Sequence, residues 1–289
     1  MTQKSELPPI ARRRVGGQLR LWRERAGFKP GDGARHVDWP QPKLSRVERG
    51  VYRITAEEID HLYGKYGVDD EAALAEVKRV ADEPKNVGWW KPFEGRVSQA
   101  YIDFIALEAE ATTIRVQNPV VVPGPAQSPG YVREIITRSP QELTDQRAEM
   151  LISIRMARQG VLSRTGEPVK LHILVPESSL HARFESGPST MRDQIRKLID
   201  TADMPNVTLQ VVPLTAHPTY GSSGAMSILT FRHPWAPVAS IDNPMGGTQT
   251  EDPEQVRYLE IEFDHIASAA LPVDKSRDLL NEHLEGLHK

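Results

Sequence analysis

The spacing of apolar residues changes along this chain, and that change limits the architectures open to it. Val15, Leu19 and Trp22 recur at three- and four-residue spacing, as do Leu44 and Val47, then Ile59, Leu62 and Tyr66, and then Ile102, Ile105, Ala109 and Thr112. Such series place one apolar stripe on a helix. Further on, Lys170–Val175, Asn206–Pro213 and Met226–Phe231 are rich in β-branched residues, and Val238–Ile241 offers a fourth strand. Helices are expected at about Thr144–Gly160 and at Ser189–Ala202, with Met191, Ile195, Leu198 and Ile199 inward, and again at Pro253–Leu271 and Lys275–Leu287. The expectation is an all-α N-terminal part followed by an α+β C-terminal part around a small sheet.

Local signals mark the ends of the early helices. Gly27 stops the first one, and Pro40 and Pro42 stand where the next important helix begins. Thr55 is a good N-cap with Glu58 three residues on, the spacing of a capping box. Between them, Lys29–Asp38 contains Pro30, Gly31 and Gly33, so a helix there is expected to be short. The polar stretch Asp82–Gly88 reads as a linker, giving domains 1–85 and 86–289. After it, a long helix is expected from Ala100 to about Arg115, interrupted by Pro119–Pro125.

Charge separates the same two parts. Up to Arg53 there are thirteen Lys and Arg against five Asp and Glu, a net +8, whereas the rest of the chain carries −11 beneath a total of only −3. Concentrating positive charge at one end suits a module that meets phosphate. With Leu44 and Val47 inward, Ser45, Arg46 and Arg49 are left facing outward, and the segment Arg12–Arg53 reads as a helix-turn-helix that touches DNA. A basic helical hairpin serving as a protein–protein mount is the alternative.

The runs Leu19-Arg20-Leu21-Trp22-Arg23-Glu24-Arg25-Ala26-Gly27 and Lys43-Leu44-Ser45-Arg46-Val47-Glu48-Arg49-Gly50 resemble the Xre (phage-repressor-like) helix-turn-helix family. The resemblance implies a lambda-repressor-like N-terminal domain whose signature helix lies in the major groove. It places Gln41, Pro42 and Arg46 at base edges, Gln41 suited to adenine and Arg46 to guanine. Lys43, Ser45, Arg49 and Arg35 fall to phosphate contacts, and Glu48 to contacts within the domain. Asp38 departs from the pattern, standing where the tight turn usually has glycine, and Pro30 replaces a polar residue that often binds phosphate.

Gly88-Trp89-Trp90, Leu107-Glu108-Ala109-Glu110, Val122-Pro123-Gly124 with Gln127 and Tyr131, Pro205–Pro213 and Glu251-Asp252-Pro253 resemble the C-terminal domain of large bacterial Xre regulators of the WhiJ-like, antitoxin-like type. That resemblance implies a cytoplasmic regulator of development and antibiotic production whose C-terminal domain engages a small protein encoded by a neighbouring gene. Pro125, Ala126 and Ser128 depart from its common residues. Trp89, Trp90, Phe93, Tyr101 and Tyr131 could line a pocket for a ligand or partner, or simply pack a core.

Catalysis finds little support. There is no cysteine, and the nine histidines include no pair at the i, i+4 spacing of helical zinc sites, so neither a metal nor another cofactor is expected. His172 falls in a strand and reads as a satisfied, partly buried side chain. Gly221-Ser222-Ser223-Gly224 lacks the spacing of a nucleophile elbow, and Glu108 and Glu110 point to different helix faces. No apolar run approaches the length of a membrane span, and the polar N-terminus lacks a signal-peptide core, so a cytoplasmic protein without membrane contact is expected. The function expected is that of a sequence-specific, homodimeric transcriptional regulator on double-stranded DNA. The alternatives are an antitoxin-like protein that neutralises a partner and only autoregulates, and a small-molecule sensor.

Overall fold

The computed structural model describes residues 8–82, 88–139, 143–221, 224–242 and 247–287. By contacts the chain divides into two compact units. One comprises the described residues up to Leu107 together with Phe231–Ala236; the other runs from Glu108 to Thr230 and from Pro237 onward. Most of the proposed linker, residues 83–87, lies outside the described residues, as do Ser222 and Ser223.

The first unit is helical: α1 (Ile10–Arg25), α2 (Pro30–His36), α3 (Gln41–Glu48), α4 (Ala56–Lys65), α5 (Glu71–Asp82) and most of α6 (Gln99–Glu110). The apolar stripes read from the sequence form its core, with Val15, Leu19, Trp22, Leu44, Val47, Ile59, Leu62 and Tyr66 all buried. Trp22 meets Tyr63 edge-on at 5.6 Å between centroids. The capping box of α4 is complete: the Thr55 hydroxyl accepts the Glu58 N–H at 3.3 Å, and Glu58 Oε2 accepts the Thr55 N–H at 3.2 Å.

Close approach explains two glycines. A Cβ on Gly16 would lie 2.5 Å from the carbonyl oxygens of Val47 and Glu48, so α1 can touch the end of α3 only without one. A Cβ on Gly33 would meet Arg23 Cδ at 2.4 Å, because the Arg23 side chain passes beneath α2. The seven-residue α2 is short, as its glycines require, and its Gly33 makes room for a buried arginine. The Phe231–Ala236 segment belongs to the same unit: Arg14 lies 3.9 Å from the centre of the Phe231 ring, and Trp235 Nε1 donates to Glu76 Oε1 at 2.9 Å.

The second unit adds β1 (Thr113–Gln117), α7 (Pro129–Thr137), α8 (Asp145–Arg158), β2 (Lys170–Pro176), α9 (Pro188–Ala202), β3 (Val207–Val212), β4 (Ala225–Thr230), β5 (Val238–Asp242), β6 (Thr248–Thr250), α10 (Pro253–Ala269) and α11 (Val273–Gly286). Its six strands form one mixed sheet in the order β3-β2-β1-β4-β5-β6. β1, β2 and β3 are parallel neighbours, and β1/β4, β4/β5 and β5/β6 are antiparallel. The sheet therefore holds two strands beyond the four expected from sequence, β1 and β6.

β1 corrects the reading of one helix from Ala100 to Arg115. The helix ends at Glu110, and Thr113–Gln117 becomes a strand at the middle of the sheet, with Ile114 and Val116 buried. The cause is tertiary. Arg164 donates to the carbonyls of Ala109 and Ala111, and Thr112 N–H donates to Thr230 O at 2.8 Å, so the carbonyls at and just past the helix end and the amide just before the strand have partners from elsewhere in the chain.

α10 covers one face of the sheet, packing Val256, Leu259, Phe263 and Ile266 against Leu174, Met226, Ile228 and Ala239. His172 lies on the same face, edge-on to Phe263 at 5.0 Å, with Nε2 2.8 Å from Gln210 Oε1. Burial pushes its pKa down, which favours the neutral ring expected of a satisfied strand histidine. The edge strand β3 is not left open: Leu271 N–H donates to Val211 O at 2.8 Å and Val211 N–H to Ser276 Oγ at 2.9 Å. Glu108, read from sequence as unsuited to a carboxylate pair, is buried in a bidentate bond with Arg158 at 2.8 and 2.9 Å.

Candidate nucleic-acid interface

α2, the turn Val37–Pro40 and α3 make the helix-turn-helix. Pro40 caps α3 and Pro42 sits in its first turn, where a missing N–H costs nothing because no intrahelical acceptor exists there. Asp38 adopts φ +56°, the left-handed conformation that the turn demands and that aspartate tolerates better than most residues. Lys65 Nζ, 3.0 Å from its carboxylate, holds that carboxyl below its usual pKa.

Leu44 and Val47 anchor α3 in the core, so its other face is set by the helical period. Gln41, Pro42, Arg46 and Arg49 are exposed, and Lys43 and Ser45 are half-buried. Arg35 on α2 is exposed and paired with Asp32. The position of α3 against α1 is fixed by charge as well as by packing. Arg23, buried, and Glu48, whose side chain is only 8 % exposed, bond at 2.6 Å (Nε to Oε1) and 3.1 Å (Nη2 to Oε2), and Arg23 Nη1 donates to Phe28 O at 2.6 Å. The hydrogen bond to Glu48 raises the Arg23 pKa further still. Glu48 thus turns away from the surface where a phosphate would sit.

Three further side chains shape this face, and the sequence reading assigned none of them that role. Tyr52 receives a hydrogen bond from Arg46 and lies under its guanidinium, 5.1 Å from ring centre to Cζ. Trp39 lies under the Lys43 ammonium at 3.8 Å. Glu58 Oε1 takes the same ammonium at 2.6 Å. Arg49 folds back, its Nε donating to Ser45 O at 3.0 Å. Only Glu58 had a local signal, its capping spacing, and that signal says nothing of Lys43 fifteen residues earlier.

The aromatic residues divide between the units. Trp89 meets Trp90 edge-on at 5.9 Å and Phe93 at 6.3 Å, and Tyr101 is half-buried on α6; all four belong to the first unit. Tyr131 belongs to the second unit, buried edge-on to Phe184, with its hydroxyl accepting the Val122 N–H at 3.1 Å. Among the described residues no helix is long and apolar enough to cross a membrane.

Residues 14–76 match the family described as Helix-turn-helix domain, and with the α2–turn–α3 geometry this puts the protein in the class of DNA-binding regulators. Residues 101–282, well over half of the chain, match the family described as Domain of unknown function (DUF5753), and the chain belongs to that family. No curated protein and no solved structure matches it.

Proposed function

We propose that the protein is a sequence-specific transcriptional regulator that reads double-stranded DNA with α3. The observation that carries this reading is the exposure of Gln41, Pro42 and Arg46 along one side of a helix whose opposite side, Leu44 and Val47, is buried in a helix-turn-helix core. Gln41 and Arg46 have the donor and acceptor sets that match adenine and guanine edges in a major groove. Lys43, Ser45, Arg49 and Arg35 then serve the backbone phosphates. Two copies would set two such helices in successive major grooves, about 34 Å apart.

The resemblance to Xre regulators of the WhiJ-like type extends the proposal to the second unit, which would bind a small partner protein or a signal and alter the DNA-bound state through it. Trp89, Trp90 and Phe93, whose rings already meet edge-on, form a separate aromatic surface on the first unit that a partner or ligand could also use.

Binding of the purified protein to its own upstream DNA and to random DNA, at several salt concentrations, tests the proposal. Tight, selective binding with a steep salt slope is the expected result. Weak binding without selectivity would overturn it in favour of a partner-neutralising protein.

A further inference from the structure

In the second unit, the 3₁₀ turn Glu177–His181 that follows β2 brings together side chains that no motif links in sequence. Glu177, His181 and His283 of α11 each offer one donor atom, and these atoms all lie within 4.8 Å of one another. Glu177 Oε1 is 3.9 Å from His181 Nε2 and 3.7 Å from His283 Nε2. The two imidazoles stand edge to face, 4.8 Å between centroids. The other carboxylate oxygen, Oε2, accepts the Leu214 N–H at 2.8 Å, which fixes Glu177 with Oε1 toward the rings.

These separations are too long for hydrogen bonds between the three groups and close to what a shared ion requires. Two ligands at the usual zinc distances, set tetrahedrally, stand about 3.4 Å apart, so the two Glu177–histidine separations of 3.9 and 3.7 Å need to close by only a few tenths of an ångström, and the histidine pair, within 4.8 Å, by a side-chain rotation. The donor set is informative about the ion. Two imidazole nitrogens and one carboxylate suit zinc and its transition-metal neighbours, whereas magnesium and calcium take oxygen ligands. The Leu214 amide supplies the outer bond that such sites use to orient a carboxylate.

The cluster also has an opening. His181 and His283 line a groove of about 720 Å³ together with Leu180, Phe184, Met191 and Leu279. Glu177 and His283 are largely buried, with side chains 16 % and 19 % exposed, while His181 is 52 % exposed at the rim. We propose that Glu177, His181 and His283 bind one zinc-class divalent ion, with a fourth coordination position open to this groove. The ion clamps the turn after β2 to α11, and a water or an anionic group of a ligand fills the open position.

The test uses the full-length, tag-free protein stripped with a chelator and titrated with Zn2+ by calorimetry and with Co2+ by visible absorption. The expected result is saturation at one equivalent, intense bands of low-coordinate cobalt, and a Zn2+-dependent rise in Tm. His181→Ala, which removes a half-exposed side chain, and Glu177→Gln, which keeps the bond to Leu214, should each weaken binding by at least about tenfold and remove the rise in Tm. His265→Ala, outside the cluster, should bind as wild type. Absence of one-equivalent uptake by the wild type would overturn the proposal, and so would uptake that survives unchanged in both His181→Ala and Glu177→Gln.

Discussion

Arg23 on α1 grips Glu48 on α3 with two guanidinium nitrogens, Nε to Oε1 at 2.6 Å and Nη2 to Oε2 at 3.1 Å, inside the helical core. A pair in this position ties α3 to α1 more than it adds net stability, because two charges have been taken from water. Removing one partner is another matter. Arg23→Met leaves the Glu48 carboxylate buried without its partner and should cost about 3–5 kcal/mol. The double variant Arg23→Met/Glu48→Gln should recover part of that loss, because the stranded charge is gone. Thermal and urea unfolding of the three proteins check this; equal stability of the single and double variants would show that the stranded charge is not the source of the cost.

Tyr66, beside the same pair, gives the helical unit an alkaline limit. Its side chain is buried, and burial, aided by the nearby Glu48 carboxylate, pushes its pKa up to about 12. The fold therefore favours the neutral phenol over the phenolate. The stability this provides is complete below the unfolded value near pH 10 and disappears as pH rises toward 12. Tyr66→Phe has no proton to lose, so its stability should fall less steeply than that of the wild type above about pH 10. Urea unfolding at a series of alkaline pH values measures the difference, and parallel curves would contradict the assignment.

What was legible in the sequence was what one element's own residues decide. The stripes of α1, α3 and α4, the Thr55–Glu58 capping box and the β-rich runs of β2, β3 and β4 each carry their signal in consecutive residues. β1 was not legible, because Ala109 and Thr112 continue the helical spacing of Ile102 and Ile105, and what ends the helix is Arg164, more than fifty residues away. Arg23 reads as one more basic residue until the fold buries it. Glu177, His181 and His283 show no paired-histidine spacing because the two rings come from a turn and a helix 102 residues apart, joined by the docking of α11. Face and cap are local properties; partner and depth are not.

Arg46 and Lys43 lie three residues apart on α3 and should fail in different ways. Arg46 is exposed and held over Tyr52, a placement that keeps a planar, two-pronged donor ready for a guanine edge. Arg46→Ala should cost about 1–3 kcal/mol on cognate DNA and much less on random DNA. Lys43→Ala should weaken both by a similar factor and lower the salt slope by less than one, because Glu58 already holds part of that charge. Equal losses for the two variants on both DNAs would remove Arg46 from the role of base reader.

Lys43 is also restrained from within the protein, and that restraint gives the most discriminating experiment on this face. Glu58 uses one carboxylate oxygen to cap α4 through the Thr55 N–H and the other to hold the Lys43 ammonium at 2.6 Å. A phosphate at Lys43 must compete with that carboxylate. Glu58→Gln removes the competing charge and preserves the cap, since glutamine serves at the third position of a capping box as glutamate does. The lysine then stays in place over Trp39, 3.8 Å from the ring centre, with its charge available. DNA affinity should rise at low salt and the salt slope should steepen, by at most about 0.9 for one added phosphate contact, with Tm little changed. Lys43→Ala should erase the gain when combined with Glu58→Gln. A gain that persists in the double variant would mean that Glu58 repels DNA directly, independent of Lys43.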